Sequence, residues 1–220
     1  MIYKNSTYLR NRLKRIVINF MKFLLINLFL FSNLFSSNIP DINSQKWIEI
    51  QKDFIDIDYI WKDGLPWCKS KINLNYSVEE ILNVIKNVGA YHLIFDSVVK
   101  SKEYNNNIVH ITLDLPGIFS DRDYVVKFNL LEDKQNKTII YEFKSISDFI
   151  EINHNYVRLL NAGGQWRLKS LADNLTEVTY IWNGDMSGNF PSWGLKRAWI
   201  KQGNEVLSNL KAAVMNNGDS

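Results

Sequence analysis

Cysteine occurs once in this 220-residue chain, at Cys68, so no internal disulfide can form. Lying in the strand-like run Trp67 to Asn75, that thiol reads as a small buried side chain. Histidine occurs three times, at His92, His110 and His154, too few and too scattered for a metal-ligand spacing. No acidic residue falls in positions 1 to 40, which hold Lys4, Arg10, Arg12, Lys14, Arg15 and Lys22. Setting those six aside from the 26 basic residues leaves 20 against 23 acidic ones, near −3 where the whole chain carries +3. A nucleic-acid partner needs a positive patch in the folded domain, so the remaining sequence argues against that class. Repeats and low-complexity linkers are also missing, and about 180 residues beyond the leader make one domain with ample apolar content for a core.

The leader itself has the make-up of an export signal. The apolar run FLLINLFLF from Phe23 to Phe31 follows basic residues, and reading from Met21 gives a short basic segment and an apolar core of the usual length. We therefore expect residues 1–37 to be a signal peptide, with Met21 as an alternative start. The run falls short of the roughly 20 residues of a comfortable membrane span. A cut after Ser36 or Ser37 puts Leu34 or Phe35 where a small residue is preferred, so retention as an N-terminal anchor stays open. The expected location is outside the cytoplasm: a periplasm first, with extracellular or membrane-anchored placement as alternatives.

Past the leader, Phe54 to Trp61 alternates apolar and acidic residues as a half-buried strand does, Asp63-Gly64 makes a turn, and Trp67 to Asn75 runs back. Ser77 and Glu80 form a capping box opening a helix to about Asn87, with Val78, Ile81, Leu82 and Ile85 on one face. Strands then follow at hairpin spacing: 97–104, 108–113, 122–132, 138–146, 156–160, 165–171 and 176–182. Asn161-Ala-Gly-Gly164 is either a hairpin turn or a bulge in one bent strand. Turn residues at 185–191 precede a closing helix of about 22 residues, roughly 33 Å long. Its apolar stripe holds Trp199, Ile200, Val206, Leu207, Leu210 and Val214. Gly203 interrupts that stripe at a cost on the order of 1 kcal/mol, which implies a close approach by sheet or ligand.

The expected fold is α+β: an antiparallel sheet of eight or nine strands with one face to cover. Alternation puts Arg122, Tyr124, Val126, Phe128 and Leu130 on one face of their strand, joined by Ile139, Tyr141, Phe143, Val178, Tyr180 and Trp182 from the others. The opposite, convex face reads as polar and solvated. Under the helix, this aromatic surface makes either a dry core or a cavity.

Three runs carry a family resemblance. SDRDYVV (Ser120 to Val126), YVRLLNAGGQWRLKSL (Tyr156 to Leu171) and TEVTYIWNGDMSGNFPSWGLKRAWIKQGNEVLSNLKA (Thr176 to Ala212) resemble the START (steroidogenic acute regulatory protein-related lipid transfer) domain. The resemblance covers 45–216, and its most specific part is Thr176 to Trp193. It implies a helix-grip fold of the SRPBCC superfamily, in which the sheet curls around the last helix and encloses an apolar tunnel for one lipid. It further implies a non-enzymatic carrier or sensor without cofactor, acting as a monomer with transient membrane contact. The gate would be the loop 114–120 and the closing helix, with Leu115, Ile118 and Phe119 covering the ligand. Arg122, Tyr124, Phe128, Tyr141, Tyr180 and Trp182 from the sheet, and Ile200, Gly203 and Leu207 from the helix, are the candidate lining.

Burying on the order of 400 Å² of lipid tail at about 25 cal/mol per Å² gives about 10 kcal/mol before ordering costs, so such a site needs no reaction. Sterol, phospholipid and fatty acid are all compatible ligands. The internal arginine of the family's sterol carriers falls here on Phe128, which puts sterol specificity in doubt. For Arg122, a structural ion pair with Asp121 or Asp185 is the plainer reading. Cyclases and aromatases of the same superfamily give an enzymatic alternative, which needs a carboxylate or histidine facing the cavity, His92 or His110. A membrane-anchored interaction module with a filled core is the third reading.

Overall fold

The computed structural model describes residues 39–115, 119–188 and 190–218. The leader and Ile118 lie outside them. Ten strands form one sheet: β1 (Ile48–Gln51), β2 (Asp56–Lys62), β3 (Leu65–Leu74), β4 (Val98–Tyr104), β5 (Ile108–Leu113), β6 (Arg122–Asp133), β7 (Thr138–Ser145), β8 (Val157–Arg158), β9 (Gly163–Ala172) and β10 (Leu175–Asn183). Their order is β1-β2-β3-β10-β9-β7-β6-β5-β4, so the last strand in sequence lies mid-sheet beside β3. Every pairing is antiparallel except β8, whose two residues run parallel to Arg122 and Asp123 of β6. The expected count fell one short because β1 is too brief for alternation to mark it, and the strand expected over 156–160 shrinks to the two residues of β8.

Local chemistry sets the joints. Asp63 and Gly64 both take positive φ, 54° and 76°, the backbone that lets a two-residue turn follow the twist of β2 and β3. At the start of helix α1 (Val78–Lys86) the Ser77 hydroxyl accepts from the Glu80 N–H at 3.3 Å, and the Glu80 carboxylate accepts from the Ser77 N–H at 2.8 Å. Ile81, Val84 and Ile85 of that helix are buried. A short helix α2 (Tyr91–Ile94), too brief for a periodic signal, follows a single 3-10 turn. The Asn161–Gly164 segment is neither a hairpin nor a bulge in one strand. Its flanking strands part company, β8 pairing with β6 while β9 pairs with β7 and β10. Gly164 must be glycine there, since a Cβ would lie 2.1 Å from the Ile181 carbonyl oxygen and 2.7 Å from the Phe143 ring.

Helix α3 (Leu195–Gly218), 24 residues, closes the concave face. Trp199, Val206, Leu207, Leu210 and Val214 are buried in one core with Ile57, Cys68, Ile72, Ile81 and Trp182. The convex face is not wholly polar, contrary to the alternation argument. Trp67 and Ile181 sit there with Ile60, and the segment carrying Ile39, Ile42 and Trp47 packs over them. Such a cover on the back of β3 and β10 shields apolar area that their outward positions would otherwise give to water.

Candidate functional site

Three strands bring aromatic rings to one spot. Tyr124 of β6, Phe143 of β7 and Tyr180 of β10 all point to the concave face, where they line a cavity of about 430 Å³. Trp182 lies beside Tyr180 with ring centroids 5.2 Å apart. Leu115 and Phe119 form one lip, and Phe119 meets Phe190 across the opening at 4.9 Å between centroids. Leu159 and Ala162, between β8 and β9, and Gly163 at the start of β9 make a side wall. A volume of this size falls within the 300–1,000 Å³ range of small-molecule sites, and an apolar lining with few polar groups is their usual make-up. Deeper in, a second void of about 40 Å³ is shared by Tyr124, Phe143 and Tyr180 with Phe95 and Phe128.

Arg122 lines the cavity but is held by backbone rather than by an acid. Its guanidinium donates to the carbonyls of Ser120, Met186 (3.1 Å) and Ser187 (3.3 Å), tying the start of β6 to the loop before α3. The carboxylates expected to pair with it are engaged elsewhere. Asp185 accepts from the Ser187 N–H at 2.9 Å and its hydroxyl at 3.1 Å, and Asp121 accepts from the Leu115 N–H at 3.4 Å. Burial lowers the Arg122 pKa and Asp121 opposes that, and a guanidinium remains charged throughout. Burial also raises the phenol pKa values of Tyr124 and Tyr180, so both stay neutral donors.

Of the expected lining, Leu115, Phe119, Arg122, Tyr124, Tyr180 and Trp182 border the main cavity, and Phe128 borders only the deeper void. Tyr141 borders neither void. It stacks behind Phe128 at 4.7 Å, and burial pushes its pKa to about 12. Ile200, Gly203 and Leu207 do not line the cavity either. At Gly203 a Cβ would meet Ile57 at 2.9 Å, Trp182 at 3.2 Å and Ser70 at 3.3 Å, so the glycine admits sheet and not ligand. Leu207 is fully enclosed. The helix residues at the cavity are instead Arg197, Ala198, Lys201, Gln202 and Glu205, on the edge beside the apolar stripe. Periodicity finds the stripe; it does not say that the helix leans on β2, β3 and α1 and stands off from β5 and β6.

His110 lies on the convex side. Its register partner is Val125, while the neighbouring Ile111 pairs with Tyr124 on the cavity face. Its Nε2 is 2.8 Å from the Asp123 carboxylate, which also accepts two bonds from Arg158 at 2.9 and 2.7 Å. Burial works to raise the Asp123 pKa, but the bonds from Arg158 and His110 outweigh it and hold the carboxyl below its ordinary value. This cluster ties β8 to β6 from behind. His92 and His154 are exposed. Among the described residues no group of acids, histidines and cysteine has the arrangement of a metal site, and no helix is long and apolar enough to cross a membrane.

A long closing helix laid in the hollow of a curved antiparallel sheet, with a cavity at its N-terminal end, defines the helix-grip class. Within it, the chain has the START-domain fold. It is similar to a STAR-related lipid transfer protein of Xanthomonas axonopodis, 20% identical, with 77% of this chain and 99% of that one covered at a TM-score of 0.69. It is also similar to human StAR-related lipid transfer protein 5, 12% identical, over 93% and 99% of the two chains at 0.72, and to human STARD10 over 80% and 76% at 0.69 with 12% identity. By sequence, an uncharacterized protein of Pseudomonas aeruginosa is 28% identical over 102 residues, 46% of this chain and half the length of that relative. No family model matches.

Proposed function

We propose that the protein binds one amphipathic lipid in the cavity under α3 and carries or senses it without chemical change. The aromatic-lined space of about 430 Å³ beside the closing helix is the observation that supports this reading. The lipid-transfer names of the structures it resembles point the same way. An acid–base alternative finds neither expected histidine at the cavity, since His110 is turned to the convex face and held by Asp123, and would have to work through Asp114, Asp185 or Glu205 at its lining. The Phe119–Phe190 contact is the closed gate of this reading. Trp193 at the same rim is 85% exposed, an amphipathic ring suited to the brief membrane contact that loading requires. We further propose that residues 1–37 direct export, so that a monomeric carrier crosses an aqueous space with its ligand's tail hidden.

Purification without detergent, followed by solvent extraction, should release close to one lipid per protein. That protein should move the same lipid between donor and acceptor vesicles. Extracts free of any lipid, from a protein that also takes up no added sterol, phospholipid or fatty acid, would sink the proposal. Cross-linking the gate through Phe119→Cys and Phe190→Cys should stop transfer when oxidised and restore it on reduction, whereas transfer indifferent to the bridge would show that the lipid leaves by another route.

A further inference from the structure

The cavity is apolar inside, yet the helix edge at its mouth carries two cations. Arg197 and Lys201 are four residues apart on α3, on one face of the helix, and both line the cavity. Among the described residues neither makes an ion pair or donates to a carbonyl. Three carboxylates, Asp114, Asp185 and Glu205, also line the cavity, but none forms an ion pair with either cation: Glu205 accepts from the Ser97 N–H at 2.8 Å and Asp185 from the Ser187 N–H at 2.9 Å. The neighbouring Lys196 is engaged elsewhere, over the Tyr59 ring at 5.2 Å. Helix stability does not account for Arg197 either, since the first turn of a helix disfavours positive charge. Unmatched cations beside an apolar cavity suit a ligand that is anionic at one end and apolar at the other.

Building on the lipid-binding reading, we propose that the ligand is an anionic amphiphile, with its tail against Tyr124, Tyr180 and Trp182 and its carboxylate or phosphate held at the mouth by Arg197 and Lys201. An anion placed there exchanges hydration for charge-assisted bonds from both side chains, whereas a neutral head leaves them as they are. Selection is then by head charge and falls with salt, because the mouth is open to water.

Four probes separate head from tail: oleate and oleyl alcohol, and oleoyl lysophosphatidic acid and monoolein, each titrated against wild-type protein and the double variant Arg197→Gln/Lys201→Gln. Wild type should bind the charged member of at least one pair roughly five- to tenfold more tightly than its neutral counterpart, with the gap closing as ionic strength rises from about 0.05 to about 0.5 M. Which pair shows the gap tells carboxylate from phosphate. The double variant should keep its affinity for the neutral probes and lose the preference, and retained neutral binding shows that it still folds. Equal binding of charged and neutral probes by wild type, or a preference that survives in the variant, overturns the head-group assignment alone. Uptake of none of the four overturns this assignment, and the lipid-binding reading falls with it when solvent extracts are also free of lipid and added sterol and phospholipid are refused.

Discussion

Two sides of the same helix meet the same sheet differently. From Gly203 to Val214, α3 lies directly on β3 and α1: Gly203 lets Ile57 and Trp182 close to the backbone, and Leu207 and Leu210 have no exposed surface. From Arg197 to Glu205 the edge facing β5 and β6 stands clear and borders the cavity. The side chains explain the split. Glycine and branched aliphatics interdigitate with a sheet surface, whereas Arg197 and Lys201 are long, charged and exposed beside the opening. The apolar stripe, Trp199 included, holds the fold, and the edge beside it borders the cavity, so damage to each should register in a different measurement.

Leu207→Ala strikes the dry half and should carry the largest stability cost, about 3 kcal/mol in urea unfolding, with ligand occupancy of the folded protein unchanged. Asp123→Asn sharpens the comparison from the back of the sheet, where Arg158 and His110 both bind the carboxylate. Its cost should be about 2 kcal/mol at neutral pH. Because Asp123 has a lowered pKa in the folded state, its contribution is complete above the ordinary aspartate value near 4 and is lost as pH falls through the lower folded value. Unfolding curves from pH 6 down to 3 should therefore show a smaller acid loss in the variant than in wild type, and parallel losses would remove this role. Ala198→Phe acts in the open half, where the added ring enters the cavity. It should change stability by no more than about 0.5 kcal/mol yet lower lipid affinity at least tenfold.

Much of the fold was legible because the signals were local. The capping box at Ser77, the Asp63-Gly64 turn and the alternation in β6, β7 and β10 fixed element types and the cavity-facing side of Arg122, Tyr124 and Tyr180. Gly203 announced a close approach, though only the packing on Ile57 and Trp182 says what approaches. The helix side of the cavity was not legible. An apolar stripe reads the same whether it faces sheet or lipid, and assigning Ile200 and Leu207 to the ligand needs the tilt of α3, a tertiary quantity. Phe190 escaped for a related reason, since a loop has no period to show which way a side chain points, and Leu159 because the strand expected over 156–160 ends at Arg158. The covered convex face was missed because Trp67 and Ile181 occupy outward positions that alternation assigns to solvent; the residues that cover them lie far off in sequence.

The division of α3 into a gripping stripe and a cavity-bordering edge is tested most directly by native mass spectrometry of wild type, Leu207→Ala and Ala198→Phe, prepared side by side without detergent. One bound amphiphile in wild type and in Leu207→Ala, and none in Ala198→Phe, is the predicted result. Equal occupancy in all three, or loss in Leu207→Ala alone, would contradict it and move the ligand to the dry side of the helix.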